Sequence, residues 1–202
     1  MTGRPRHFDE GEVLTRAMDL FWKKGYEATG LRDLIEEMEI GRQSLYSTFG
    51  DKRQLFLRAL EHYLASSFEE IRTELQKAKG PVDALQRWLD LRVLGLCSAG
   101  DGARGCMGLN TIVELCPDDT EVANLMRGHA QLMVGQIADV IAQGQASGVF
   151  RTDHGPAELA HYLMMGAAGL LVSSKLLMPP ELGQGTVAML VDSIRKAGQA
   201  PV

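Results

Sequence analysis

The run Gly41-Arg42-Gln43-Ser44-Leu45-Tyr46-Ser47-Thr48-Phe49 holds six hydrogen-bonding side chains and no acid, and Lys52 follows it. Leu45 and Phe49 stand four apart, one turn of helix, so both face the same way. They are expected to face a small core with Phe21, Leu34 and Ile35. Arg42, Gln43, Ser44, Tyr46, Ser47 and Thr48 are then left largely outward. Arg, Ser, Thr and Tyr side chains bind phosphate oxygens, as do helix N-termini. Gln43 has the bidentate geometry for an adenine edge, and Arg42 can reach a guanine or a phosphate. Lys52 adds an ammonium at the start of the next helix. The chemistry is that of a nucleic-acid surface.

Such a surface needs elements to hold it. Asp9 is an N-cap with Glu12 at the capping-box position and Phe8 and Val13 as a hydrophobic staple. Val13, Leu14, Ala17, Leu20 and Phe21 recur at helical spacing, and Lys23, Lys24 and Gly25 close the helix. Thr29 is expected to cap a second helix, Leu31 to Met38. After a break at Glu39-Ile40-Gly41, a third runs from Arg42 to about Thr48. Two short helices across a tight break, braced by a supporting helix, make a helix-turn-helix, whose second helix enters the DNA major groove.

At these residues the sequence resembles the TetR family of transcriptional regulators. The match is carried by Phe21, Gly25-Tyr26, Thr29, Leu31 to Leu34, Ser44-Leu45-Tyr46, Phe49 and Lys52, over about residues 9 to 57. The segment Arg104-Gly105-Cys106-Met107-Gly108-Leu109-Asn110 adds a weaker likeness. The resemblance implies an all-α homodimer that binds a palindromic operator through two heads and holds a small molecule in its C-terminal body. It implies phosphate contacts at Thr29, Ser44, Tyr46 and Lys52, and base or backbone contacts at Arg42, Gln43 and Ser47. Thr48 joins this set from its outward position. The sequence departs from the family pattern at Glu39, where Gly is usual, at Gly41, where a capping Ser is usual, and at Ile35, which replaces Ala.

The rest of the chain reads as helices. Lys52 opens a long one with Leu60, Leu64, Phe68, Ile71 and Leu75 on one stripe, ended by Lys79-Gly80-Pro81. A fifth carries Leu85, Trp88, Leu89, Arg92 and Leu96. A Gly-rich loop, Ser98 to Gly105, leads to a short helix from Cys106 to Leu115. Asp118-Asp119-Thr120 start a long helix with Val122, Met126, His129, Met133 and Ile137 on one face. Pro156 opens an eighth helix to about Leu177, and Val187, Leu190, Val191 and Ile194 mark a ninth. The expected architecture is all-α, with a three-helix head over 1–51 and a ligand-binding and dimerisation body over 52–202, about nine helices in all.

Within that body the candidate ligand-binding residues are Trp88, Arg92, Cys106, Asn110, Met126, His129, Met133 and Met165. Methionines at 126, 133, 164 and 165 suit a pocket that repacks around its ligand, although core packing alone also places them inside. Small residues Gly166, Gly169 and Ser173 on the eighth helix let another helix come close. With the ninth helix they make the expected homodimer interface, Pro156-Leu177 and Gly185-Ala197.

Composition narrows the alternatives. The chain has 202 residues, 45% hydrophobic, with a formal net charge of −5, so any basic surface must be local. Residues 1 to 53 hold nine Lys/Arg and ten Asp/Glu. DNA binding there needs sidedness: Arg4, Arg6, Arg42 and Lys52 on one side, and Glu36, Glu37 and Glu39 on the other. Three cysteines, Cys97, Cys106 and Cys116, without CxxC spacing fit a reducing, cytoplasmic setting rather than a disulfide framework. Cys106 and Cys116 end one short helix, roughly 15 Å apart by its rise, too far to share a metal or a disulfide. A thiol-based sensor and a dimeric scaffold without DNA binding remain as alternative readings. No HExxH, GxGxxG or nucleophile–base spacing points to an enzyme, no cofactor is expected, and no apolar run reaches membrane-spanning length.

Overall fold

The computed structural model describes residues 8–94, 104–176 and 179–196. Among them are nine α-helices: α1 (Glu10–Lys24), α2 (Leu31–Met38), α3 (Arg42–Phe49), α4 (Lys52–Gln76), α5 (Pro81–Leu89), α6 (Met107–Leu115), α7 (Thr120–Ala146), α8 (Pro156–Ser174) and α9 (Pro180–Ser193). The fold class and helix number match the sequence reading. Cys97, Leu96, Arg4, Arg6 and most of the Gly-rich loop lie outside the described residues, as do Leu177 and Ala197 at the expected interface ends.

Local chemistry explains the boundaries. Asp9 Oδ1 accepts from the N–H groups of Gly11 (2.8 Å) and Glu12 (3.0 Å) and starts α1. Glu12 does not complete the reciprocal box; its carboxylate pairs with Arg16 at 2.8 Å instead. Gly25 ends α1 at φ 84°, a left-handed conformation that glycine takes without Cβ strain. The cap of α2 is Gly30, not the expected Thr29, with the Asp33 carboxylate accepting from the Gly30 N–H at 3.2 Å. Asp51 and Gln54 form a complete capping box at α4.

Glu39, at the turn between α2 and α3, sits at φ 53° where a glycine is usual. A left-handed non-glycine residue costs about 1–2 kcal/mol. Arg16 Nη1 donates to the Glu39 carboxylate at 2.6 Å and ties this turn back to α1.

Two apolar cores stack along the molecule. The first joins α1, α2 and α3 to the start of α4 and then continues into the body through Cys106, Met107, Leu115, Val122, Met126 and Leu171. The second gathers the end of α4, α5, the later part of α7, α8 and α9. Among the described residues one continuous apolar cluster joins head and body, so the head is seated on α6 and α7 by shared core. Beyond α5 the helix widens into a π-turn, Asp90–Leu94, a feature frequent at functional sites. It replaces the regular helix expected through Arg92.

At the far end, Phe150 and Arg195 form an isolated antiparallel bridge that fixes α9 to the turn after α7. A Cβ on Gly144 would lie 2.0 Å from the Phe150 ring, so only glycine fits beneath it. Helix α9 begins at Pro180, earlier than the sequence reading placed it, and ends at Ser193.

Candidate nucleic-acid interface and ligand cavity

Helix α3 presents the face that its spacing requires. Leu45 and Phe49 are buried with Leu34 and Phe21. Arg42, Gln43, Tyr46 and Ser47 are exposed, and Ser44 is half-buried at the edge. The Arg42 guanidinium lies 5.8 Å over the Tyr46 ring. Lys52 stands beside this face with its ammonium 4.3 Å from the centre of the Tyr26 ring. That contact orients the cation without neutralising it, as a carboxylate would. Tyr26 was missed as a positioning residue, although the Gly25-Tyr26 pair was already visible in the sequence.

Two assignments need correction. Thr29 is fully buried, and its hydroxyl donates to the Gly25 carbonyl at 2.5 Å. Its side chain braces the α1–α2 turn and cannot contact a phosphate. The Thr48 hydroxyl is likewise buried, with no hydrogen-bond partner among the described residues, while its carbonyl accepts from Arg58 Nη1 at 2.9 Å. Thr48 therefore supports the Arg58 side chain rather than the outward face.

The acids of the head are largely paired away from α3. Asp33 bonds Lys24 at 2.9 Å, Glu36 bonds Arg32 at 2.8 Å, and Glu39 bonds Arg16. Lys24, followed by the Gly30 N–H, holds the Asp33 carboxyl below the usual carboxylate range. Among the described residues Arg42 and Lys52 have no such acidic partner, which gives a near-neutral head a positive face.

The body contains a cavity of about 110 Å³ lined by residues of α4, α5, the π-turn, α6, α7 and α8. It gathers Trp88, Arg92, Cys106, Met126, His129 and Met133, six of the eight ligand candidates. Met165 is not among them. It points outward at 63% exposure, and its neighbour Met164 lines the cavity instead. Position 164 lies on the buried stripe of Ala160, Ala167 and Leu171, while 165 falls off it. Asn110 is also misplaced: its amide donates to the Arg104 carbonyl at 3.0 Å and its oxygen accepts from Lys175, in a separate open cleft beside α1. The sequence reading missed Tyr63 and Ser67 of α4. Arg92 Nη1 donates to Ser67 Oγ at 2.8 Å and Nη2 to Cys106 Sγ at 3.3 Å, while the Tyr63 hydroxyl lies 3.5 Å from that sulfur. Burial pushes the Tyr63 phenol up, so it stays protonated. Burial, then the Arg92 charge, lowers the His129 pKa and keeps that imidazole neutral near pH 7.

Head and body are tied through polar bonds as well as core. The Glu114 carboxylate, on α6, accepts from the backbone N–H groups of Tyr26 (3.1 Å) and Glu27 (2.9 Å). Trp22 Nε1 donates to the Gly105 carbonyl at 3.1 Å. Arg53 of α4 bonds Asp119 at the start of α7, at 2.5 and 3.0 Å, and Glu121 at 2.7 Å. That bond leads the effects that hold the Asp119 carboxyl below its ordinary range.

The small-residue stripe on α8 divides. A Cβ on Gly166 would meet Leu190 of α9 at 2.5 Å, so Gly166 serves packing inside one chain. Gly169 and Ser173 remain open, within an exposed row of Tyr162, Met165, Val172 and Leu176, beside Leu182 and Met189 of α9. Cys106 and Cys116 cap opposite ends of α6, and Cys106 is buried against Tyr63 and Arg92. Among the described residues no helix is long and apolar enough to cross a membrane.

Known proteins share this arrangement. The family described as bacterial regulatory proteins, tetR family, matches residues 13–59, and the tetracyclin repressor-like C-terminal domain matches residues 81–190. The HTH-type transcriptional repressor ComR of Escherichia coli (strain K12) is 28% identical over 173 residues, 86% of this chain and 82% of that one. The uncharacterized HTH-type transcriptional regulator YezE of Bacillus subtilis (strain 168) is 37% identical over 121 residues, 60% of this chain and 62% of that one. A cysteine mutant of the TetR family transcriptional regulator CifR, complexed with 26bp double-strand operator DNA, superposes with a TM-score of 0.83 at 30% identity, covering 95% of this chain and 100% of that one. These relatives are regulators, not enzymes, and they do not favour the thiol-sensor alternative. The chain belongs to the TetR family of DNA-binding transcriptional regulators.

Proposed function

We propose that the protein is a repressor that binds a palindromic operator as a homodimer and is released by a small molecule held in the body cavity. The head ends at Asp51, and the body begins with α4 at Lys52. Tyr46, Ser44 and Lys52 contact phosphates, while Arg42, Gln43 and Ser47 approach the bases. The observation that carries the reading is the double use of α6. One side of this nine-residue helix lines the cavity through Gly108, Leu109 and Ile112, and its Glu114 caps the turn that carries the head. A ligand that displaces α6 therefore displaces the head, and Arg53 passes the same motion to α4 from α7. Two states with different head spacing follow, and the effector favours the one that fits the operator less well. Repressor action is supported by relatives such as ComR, which is named as a repressor.

The dimer is supported by the exposed apolar row on α8 and α9. Two heads in a two-fold dimer read half-sites about one helical turn apart, roughly 34–36 Å. The test is fluorescence anisotropy of the purified protein on the DNA flanking its own coding region, at several salt concentrations, against an unrelated duplex. Preference for the cognate fragment by about 10³ or more, with a negative salt slope, is the expected result. Equal affinity for both duplexes would sink the proposal.

A further inference from the structure

We infer that the body cavity takes a small organic anion, a carboxylate on a short apolar body, with Arg92 as its counter-ion. The inference rests on the reading of this cavity as the effector site and adds the chemical class of its ligand.

The π-turn carries Arg92, half-buried, to the cavity wall, where its guanidinium is held among Ser67, Tyr63 and Cys106. Its contacts are Ser67, Tyr63 and Cys106, and no carboxylate acts on it among the described residues. Glu70 shares an adjoining cleft with it but forms no ion pair with it. A buried cation without an anion is costly, and proteins ordinarily place an acid beside it. The other polar groups point the same way. The Trp88 indole N–H, on the same wall, is buried with no acceptor among the described residues. Donors thus outnumber acceptors, and a ligand that supplies acceptor oxygens completes the site.

The remaining wall is apolar, with Leu64, Met126, Met133, Met164 and Leu171. Its shape therefore asks for a hydrocarbon body behind the charged head. A volume of about 110 Å³ is below the ~150 Å³ of a cavity that holds benzene. The body is accordingly a few carbons long, or one ring if the methionines shift. Among the described residues Cys106 is the internal competitor for Arg92. Burial raises its pKa, but the Arg92 charge and the hydrogen bonds from Tyr63, the Leu109 N–H and Arg92 outweigh it and hold the thiol below its ordinary range, so a thiolate would supply the missing charge. Cys106→Ser removes that option.

The test is a calorimetric titration of the full chain with butanoate and benzoate, each beside its neutral isostere, butanamide and benzamide. At least one acid should bind tenfold or more tightly than its amide. Arg92→Gln, checked for helicity by circular dichroism, should abolish the difference; Arg92→Lys and Cys106→Ser should keep it. The comparison of acid with amide needs no variant, so it decides even if Arg92→Gln does not fold. Amides that match or exceed the acids would overturn the anion while leaving the cavity as a ligand site. Silence of all four probes would overturn it for bodies of this size. Acids that bind through Arg92 yet leave operator affinity unchanged would uphold the anion site and overturn the effector reading.

Discussion

The reading face of α3 and the cavity of the body handle polar groups in opposite ways. On α3 the donors stand in solvent, spaced by one helix, and water satisfies them until DNA replaces it. In the cavity the donors are buried, and they come from α4, α5, the π-turn, α6 and α7. The first arrangement costs little to hold and tolerates an unoccupied state. Among the described residues, the second holds the Arg92 guanidinium without a carboxylate and the Trp88 N–H without an acceptor. One site is written in nine consecutive residues, whereas the other exists only once distant segments fold together. Glu114 joins them, since the helix that walls the cavity also caps the head.

The largest test of the comparison removes the second head of the proposed homodimer. Val172→Glu together with Met165→Glu puts two charges into the exposed row of α8 without touching either core. Light scattering should then report a monomer, and operator affinity should fall about 100-fold or more, because one head loses the second half-site. A dimer that persists and binds normally would place the interface elsewhere.

Next come the proposed phosphate contacts. Tyr46→Phe and Lys52→Ala should each weaken binding about tenfold on cognate and unrelated duplexes alike. Lys52→Ala should also reduce the salt slope by about one. A loss confined to the cognate duplex would make Lys52 a base reader instead. Gln43→Ala should act more narrowly, costing about 1–3 kcal/mol of discrimination at one base pair and little on random DNA. Equal loss on every sequence would remove Gln43 from base readout.

Glu114→Gln addresses the link itself. The amide still offers an oxygen to the Tyr26 and Glu27 N–H groups, but without the charge that strengthens both bonds. Operator affinity in free protein should change less than threefold. The response of that affinity to any cavity ligand should shrink, read as the ratio of operator dissociation constants with and without ligand. An unchanged ratio would route the coupling through Arg53 and Asp119 alone.

How far each region could be read from sequence follows from the same contrast. Leu45 and Phe49 fix the phase of α3, so Arg42, Gln43, Tyr46 and Ser47 fall outward by geometry. Thr29 was legible as a special position but not in its role. A threonine before a helix reads as a cap, and only the fold reveals that Gly30 takes the cap while the hydroxyl turns to Gly25. In the body, stripes told which helices are amphipathic. They did not resolve adjacent residues at a stripe's edge, which is why Met165 was chosen over Met164. The π-turn at Arg92 left no signal at all, because its residues also suit a regular helix.

Thr48 gives the smallest effect and the sharpest line between the two kinds of polar group. As an outward residue it would resemble Ser47, and losing its hydroxyl would weaken DNA binding. As found, its hydroxyl is buried and has no partner among the described residues, as is true of the Trp88 N–H at the cavity. A buried hydroxyl without a bond costs about 1–3 kcal/mol by mutational measures. Thr48→Val keeps the shape and removes that cost, so the melting temperature should hold or rise by a few degrees. Operator affinity should stay within about twofold, while Ser47→Ala in a parallel titration should show a loss. A drop in affinity for Thr48→Val equal to that of Ser47→Ala would return Thr48 to the reading face. It would also mean that the hydroxyl turns outward when DNA is bound.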